Sequence, residues 1–383
     1  MLGKTNILFV SKNDASEAQI VQEKILTASS GKIVKIEFLN DLVFAYTDAG
    51  VLYGTDVKTM DYIRKDGENL TATHFIYHGG KYYCCNANQS MQEKGIIYAT
   101  EDFSAYEEIV IEENILLDTR NEAKFIVSGI FKDSRGRIVV MVRRMQENAV
   151  TIQLVLHIFD TFEGLSEAEI VTCDKPNISE DQSLTCYNVL LKDRIFTSYG
   201  YVCSLAGKSY VGPETLLYAH DYFFRLNTDT TNKDNPLASV YRSFDGINWA
   251  KELNVDIEAY PQCYIFPVSG KICLTYLDTQ KRCFANLAGG VGKVGNSANE
   301  TFELDIPERI YTAAEDYEGN AYLGCSGGII NKISLDTDGT TKLPEVQLIK
   351  TLAAKQALVQ AKQYTDEKVA ELKAYLDHSA GQQ

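Results

Sequence analysis

The chain has 383 residues, 45% of them hydrophobic, with a formal net charge of −15. That is enough apolar side chain for a sizeable core, in one large domain or two modest ones. An acidic balance with no basic patch excludes a nucleic-acid partner, and no apolar run approaches the roughly 18 residues of a membrane-spanning helix.

The N-terminal stretch MLGKTNILFVSKND carries a four-residue apolar run and no cleavage site, so it predicts a strand around 7–10 and no signal peptide. Residues 15–26 are one of the few short helical candidates in the first 340 residues. From residue 40 onward one unit recurs, a polar turn followed by a strand. It reads NDLVFAYTD (40–48), GGKYYCCN (79–86), RGRIVVMV (135–142), KDRIFTSYG (192–200), HDYFFRLN (220–227), SGKICLTYL (269–277) and EGNAYLGCS (318–326). The Asn-Asp, Gly-Lys and Asp-Gly chemistry suits tight hairpins, and the 23 tyrosines suit strands.

A second pattern lies just after several of these starts. GVLYGTDVKTMDYI (50–63), GIIYATEDFSAYEEI (95–109) and SVYRSFDGINW (239–249) each run an apolar strand into a hydroxyl, then an acid, then an aromatic. The residues are Thr55, Asp56 and Tyr62; Thr100, Asp102 and Tyr106; and Ser243, Asp245, Gly246 and Trp249, the only tryptophan. Weaker echoes occur at 7–14, 156–165, 282–287 and 328–339. Copies that can be paired lie roughly 40 to 60 residues apart, the spacing of four-stranded propeller blades.

The fold predicted is all-β: a β-propeller of about seven blades over residues 1–345, its N-terminal strand closing the last blade and removing an exposed edge. The short interval from Asp193 to Asp221 leaves the blade number open by one.

The nine cysteines are scattered without a CxxC pair, which argues against zinc. They read as small buried hydrophobes of a protein made in a reducing cytoplasm. Cys84 and Cys85 should face opposite sides of one strand, and a Cys273–Cys283 bridge is the lesser reading. His74 and His78 share a strand face, read as polar rather than metal-binding. The oxygen-rich stretches 227–235 and 336–339 read as loops before calcium sites, and the glycine-rich stretch 288–297 lacks phosphate-loop spacing. No metal and no cofactor is expected.

The stretch SFDGINW resembles the Asp-box of sialidase-like propellers, Ser/Thr-x-Asp-x-Gly-x-x-Trp/Phe, with one residue fewer; TEDFSAY and TDVKTMDY resemble it more loosely. The resemblance implies an architectural turn between the outer strands of a blade and no catalytic role for Asp245. A sialidase would need clustered arginines and a tyrosine nucleophile with an acidic partner. The family's Arg-Ile-Pro signature is absent, and Arg242 and Arg309 sit in the nearest fragments.

After Pro344 the composition shifts to Ala, Lys, Glu, Leu and Gln. Residues 346–383 predict a helical tail whose apolar stripe, Leu352, Leu358, Val359, Val369, Leu372 and Leu376, is broken in register. Such a helix is marginal alone in water and asks for partners, although folding back on the propeller is open to it. The phrase AKQYTDEKVAELKAYL resembles coiled-coil segments of bacteriophage tail-fibre and baseplate proteins, often trimeric. That resemblance implies a non-catalytic structural or receptor-binding component of a phage or tailocin tail. It would be made in the bacterial cytoplasm, recognise a surface glycan or protein, and meet other tail or baseplate proteins as a homotrimer. Tyr82, Tyr83, Tyr222 and Phe223 are the candidate ligand-binding residues, beside loops of a rigid scaffold. The rival readings are a glycan-cleaving propeller enzyme and a cytoplasmic scaffold that binds proteins.

Overall fold

The computed structural model describes residues 7–11, 19–88, 95–111, 123–146, 151–173, 178–179, 189–196, 201–211, 217–219, 222–229, 231, 237–256, 263–269, 271–277, 283–288 and 300–336. The chain divides into two compact units, Met1–Asp14 with Ile20–Leu335, and Ala15–Gln19 with Asp336–Gln383. The first is an all-β propeller. The predicted helical tail, with Leu352, Leu358, Val359, Val369, Leu372 and Leu376, falls outside the described residues.

Among the described residues, six blades are each built from four strands consecutive in the chain and paired antiparallel. Blade 1 is Ile33–Leu39, Leu42–Thr47, Gly50–Gly54 and Asp61–Tyr62. Blade 2 is His74–His78, Lys81–Cys85, Gly95–Thr100 and Glu107–Ile111. Blade 3 is Ala123–Lys132, Ile138–Gln146, Thr151–Phe159 and Glu169–Thr172, with Ile178–Ser179 added to its third strand. Blade 4 is Val189–Leu191, Arg194–Phe196, Tyr201–Ser204 and Ser209–Val211. Blade 5 is Leu217–Ala219, Tyr222–Asp229, Leu237–Ser243 and Ala250–Asp256. Blade 6 is Tyr264–Val268, Lys271–Leu277, Cys283–Ala288 and Glu300–Leu304.

A further sheet is composite. Ile310–Glu315, Ala321–Cys325 and Ile329–Asp336 continue into Gln19–Leu26 and then Ile7–Ser11, so both ends of the propeller unit share one sheet. Against about seven expected blades, six are continuous in sequence; the turn-plus-strand start at 318–326 opens the composite sheet instead. The interval that looked too short holds a whole blade, because the strands of blade 4 are only three or four residues long.

The helix expected over 15–26 is corrected: Gln19–Leu26 is a strand, with Phe9 opposite Gln22 and Val10 opposite Val21. Pairing on both sides outweighs local helix preference there. Ile25 is fully buried, and the buried Gln22 amide donates to Asn331 Oδ1 at 2.8 Å and to the Asp305 carbonyl at 2.9 Å.

Apolar cores lie between neighbouring sheets, so most strands are covered on both faces. Phe44, Tyr46 and Val51 of blade 1 pack with Phe75, Tyr82 and Cys84 of blade 2. Tyr83, Cys85 and Ile97 of blade 2 pack with Val127, Val140 and Phe159 of blade 3. Adjacent Cys84 and Cys85 therefore enter different cores, as strand alternation requires. Blade 3 meets blade 4 through Met141, Leu156, Ile195 and Cys203; blade 4 meets blade 5 through Phe196, Val202 and Phe223; blade 5 meets blade 6 through Phe224, Val240 and Leu274. The composite sheet meets blade 1 through Ile25, Tyr322, Ile330, Ile33 and Val43. Blade 6 is tied to it by Tyr264 Oη donating to the Tyr311 carbonyl and Ser269 N donating to the Gly319 carbonyl at 2.8 Å. In blade 6 Cys273 opposes Leu287 while Cys283 opposes Leu277, so the ladder does not bring the two cysteines together.

Candidate functional site

In an antiparallel meander the turns joining strands one to two and three to four emerge at the same end of the blade. The first set explains the recurrent polar turns. Asn40-Asp41, Gly79-Gly80 and Lys192-Asp193 each place two successive residues at positive φ, the geometry two-residue hairpins demand. Blade 3 and the composite sheet use a longer turn, Asp133-Ser-Arg-Gly136-Arg137 and Asp316-Tyr-Glu-Gly319-Asn320. In both, the first Asp Oδ1 accepts from the backbone N–H of the second and fourth residues after it. Asp133 and Asp316 escaped the sequence reading, although Asp-x-x-Gly is their shared signal.

The second set contains the turns that carry the hydroxyl–acid pattern. Ser243 Oγ accepts from Gly246 N at 2.8 Å and donates to Asp245 Oδ1 at 2.9 Å. Asp245 Oδ1 also accepts from Ile247 N and Asn248 N, and these bonds, Asn248 foremost, hold its carboxyl well below the usual range. Thr100 Oγ1 accepts from Phe103 N at 2.9 Å, and Asp102 Oδ1 accepts from Ser104 N at 2.9 Å. The two turns coincide down to the third residue after the hydroxyl, Gly246 at φ 73° and Phe103 at φ 65°. Asp56 differs: it caps the short 3-10 turn Val57–Thr59 by accepting from Lys58 N, while Thr55 is exposed.

The closing aromatics are half-buried. Tyr62 packs on the core shared by blade 1 and the composite sheet, and Tyr106 on that of blades 1 and 2. Trp249 joins the core of blades 4 and 5, with the Arg225 guanidinium 4.7 Å from its ring. Burial pushes the Tyr106 hydroxyl pKa up, and its oxygen has no hydrogen-bond partner.

Of the four residues expected to bind ligand, three are corrected to core positions. Tyr82 and Tyr83 are 6% and 8% exposed, and Phe223 is fully buried. Tyr82 packs against Tyr77 and Phe103, Tyr83 stacks on Phe162 at 4.1 Å, and Phe223 meets Phe196. Blades flank each of these strands on both sides, so a run such as KYYCC has no solvent face. Tyr222 alone of the four reaches the surface, partly exposed.

Around Tyr222 the turns of blades 4 and 5 build a compact surface. Phe244 is 66% exposed and Ile247 46% exposed, on either side of Asp245-Gly246. Tyr222 meets Phe244 edge to face, with centroids 5.9 Å apart. Arg242 lies 4.6 Å from the Tyr222 centroid, and Lys192 Nζ lies 3.7 Å from that of Phe244 while donating to the Phe244 carbonyl. Arg194 donates to the Asp245 carbonyl. The result is a row of cation, ring, ring, cation on a turn that its own hydrogen bonds hold rigid. Sequence alone marked Tyr222; Phe244 and Ile247 went unnoticed because they lie inside the box pattern.

Other sequence candidates do not converge. His74 is buried beside Thr73 Oγ1 at 2.8 Å, whereas His78 is partly exposed, its pKa lowered by burial and by Lys132. Arg309 lies over the Tyr311 ring, remote in sequence and blade from Arg242. Among the described residues no group of three metal-ligating side chains forms, and no helix is long and apolar enough to cross a membrane.

No protein-family model matches the chain, and no curated protein matches it. Among solved structures, "YCF48 bound to D1 peptide" is similar over 86% of this chain and all of its own, at 9% identity and a TM-score of 0.47. A streptogramin B lyase is similar over 85% of this chain and all of its own, at 12% identity and 0.45. The WD40 β-propeller domain of Doa1 is similar over 87% and 97%, at 11% identity and 0.43. These are likenesses of outline, and the propeller assignment rests on the sheets and the cores between them.

Proposed function

We propose that this chain is a non-catalytic binding propeller that recognises a bacterial surface protein or glycan. The observation that carries the reading is the exposed row Lys192, Phe244, Tyr222 and Arg242. It stands on a scaffold whose other candidate aromatics are buried. Exposed aromatics fixed on a rigid turn contribute contact area at little entropic cost.

The finer reading is a receptor-binding component of a phage or tailocin tail. In it the composite sheet is the closing seventh blade, the turns of blades 2 and 5 are Asp-boxes, and the tail from residue 346 oligomerises as a trimer. Its support is the repeated hydroxyl–acid turn and the tail's resemblance to phage coiled coils.

The test uses the full chain. Fluorescently labelled protein is incubated with a panel of bacterial cells and with their extracted surface glycans, while reducing ends are counted. Saturable binding to some cells with no new reducing ends is expected. Absence of binding across the panel, or steady release of reducing ends, overturns the reading.

A further inference from the structure

We propose that Arg225, with Tyr241, Trp249 and Lys251 beside it on blade 5, binds a carboxylated sugar of a surface polysaccharide. The inference rests on the binding reading above and gives its glycan arm a chemical class. The site lies on the face of blade 5 turned to blade 4, whereas Tyr222 packs on the side of blade 6.

Arg225 follows Phe223 by two residues in one strand, so both side chains point toward blade 4. The core shared with blade 4 takes in Phe223 and Trp249 but neither Arg225 nor Tyr241. Strands of three or four residues in blade 4 face strands of seven or eight in this part of blade 5. Arg225 opposes Tyr241, and Tyr241 opposes Lys251, so the three form one row across three strands, past that core. Arg225 Cζ lies 4.9 Å from the Tyr241 centroid and 4.7 Å from that of Trp249, and Lys251 Nζ lies 5.7 Å from that of Tyr241. Lys251 is exposed and the other three are partly exposed.

A guanidinium carries five N–H donors, and aromatic rings are weak acceptors for them. Among the described residues no oxygen accepts from Arg225, and its Nε is buried with no hydrogen-bond partner. A partly buried cation in that state is costly until an anion completes it. The two rings hold it in place beforehand, and its planar fork suits a carboxylate bound through both oxygens. The neighbours decide the class of ligand. Exposed Asn227 stands two residues further along the same face, and Lys251 ends the row, so hydroxyl groups meet an amide and an ammonium there. The aromatic edges of Tyr241 and Trp249 suit the C–H face of a sugar ring. A peptide finds less: Tyr241 is paired on both sides, to Arg225 and to Lys251, so no strand can be added at the centre of the row, and the row has no aliphatic side chain. Asp229, about 13 Å along the strand from Arg225, accepts from Thr231 N and Oγ1, and among the described residues it pairs with neither cation of the row.

The experiment uses the full chain and reads the fluorescence of Trp249, the only tryptophan. Tetramers of galacturonate and of glucuronate, their carboxyl-reduced neutral twins, and tetraglutamate are titrated in turn. We expect a saturable change with at least one acidic sugar tetramer and none with its neutral twin. By calorimetry, Arg225→Lys, which keeps the charge and loses the fork, should weaken that binding about tenfold, and Lys251→Gln about threefold. Tyr317→Ser, which removes an 87% exposed ring from the composite sheet, should leave it unchanged. Unaltered melting curves separate binding from folding, and exposed Lys251 supplies a second variant should Arg225→Lys fail to fold. No saturable response to either acidic sugar, an equal response to the neutral twins, tighter binding of tetraglutamate, or indifference to whichever of the two variants folds overturns the proposal. Undiminished cell binding by Arg225→Lys removes this site and leaves the binding reading standing. Tetramer binding without cell binding removes the surface-receptor reading and leaves the sugar site standing.

Discussion

Asp245 accepts from two backbone N–H groups of its own turn and from Ser243 Oγ, so one carboxylate ties three donors of the turn together. Hydrogen bonds to an ionised acceptor are stronger than neutral ones. Asp245→Ala should therefore destabilise the protein by about 1–2 kcal/mol, read as a lowered Tm, with the loss discounted because the carboxylate is partly solvated. His157 is a different residue-scale case. It is fully buried in blade 3, neither ring nitrogen has a hydrogen-bond partner, and burial lowers its pKa to about 4. Between the unfolded value near 6.5 and about 4, the unfolded chain binds a proton that the folded chain refuses. Stability should be constant above about pH 6.5, fall as pH drops toward 4, and level off below, by at most about 3 kcal/mol. His157→Leu should flatten that segment of a plot of denaturation midpoint against pH. An unchanged slope in the variant would assign the pH response to other groups.

At the scale of elements, the two hydroxyl–acid turns of blades 2 and 5 set backbone strain against burial. Phe103 occupies a left-handed conformation that Gly246 adopts freely, at a cost of about 1 kcal/mol for a residue with a side chain. Its ring is nearly buried against Tyr53, Tyr82, Phe44 and Phe75, a burial whose loss costs about 3–5 kcal/mol. Phe103→Gly should therefore destabilise by roughly 2–4 kcal/mol despite relieving the backbone, measured as a shift in urea midpoint. A gain in stability would mean that strain outweighs packing. This turn also shows what the sequence could convey. The hydroxyl–acid spacing located the turns of blades 2 and 5, because it reflects local hydrogen bonds between neighbours in the chain. The asparagine and glycine turns at 40–41 and 79–80 were legible for the same reason, since their backbone demands positive φ. Tyr82 and Tyr83 were misplaced because their environment is set by blades on both sides. Two-sided burial erases the polar–apolar alternation that would have revealed it. Residues 15–26 were misread likewise: Gln22 looks like a surface helix residue until Asn331 and Asp305 are brought beside it.

For the whole molecule, the decisive feature is the seam where both ends of the propeller unit meet. Gln19–Leu26 lies beside Ile329–Asp336, and Thr27 N donates to the Gly328 carbonyl at 3.0 Å. Thr27 Oγ1 reinforces that bond at 2.8 Å, and Lys24 pairs with Glu308. Gly328 sits at φ 69° with its α-carbon turned toward Ser29, so a β-carbon there would come within 1.7 Å of the Ser29 carbonyl oxygen. Backbone cannot yield as a flexible side chain can. Gly328→Ala should therefore part the seam and cost more than 2 kcal/mol. Opening it frees the hydrogen-bonding edge of Ile329–Asp336 and uncovers Ile25 and Ile330, the pairing that closed propellers use to avoid exposed strands. The expected signature is specific: hydrogen exchange should rise in 19–33 and 321–336 well before the blade 3 strands, and the variant should aggregate on warming. Gln22→Ala removes only side-chain bonds and should give the same pattern more weakly. Uniform loss of protection around the ring in Gly328→Ala would instead mean that the propeller unfolds as one cooperative unit and that the seam is no weaker than any other junction.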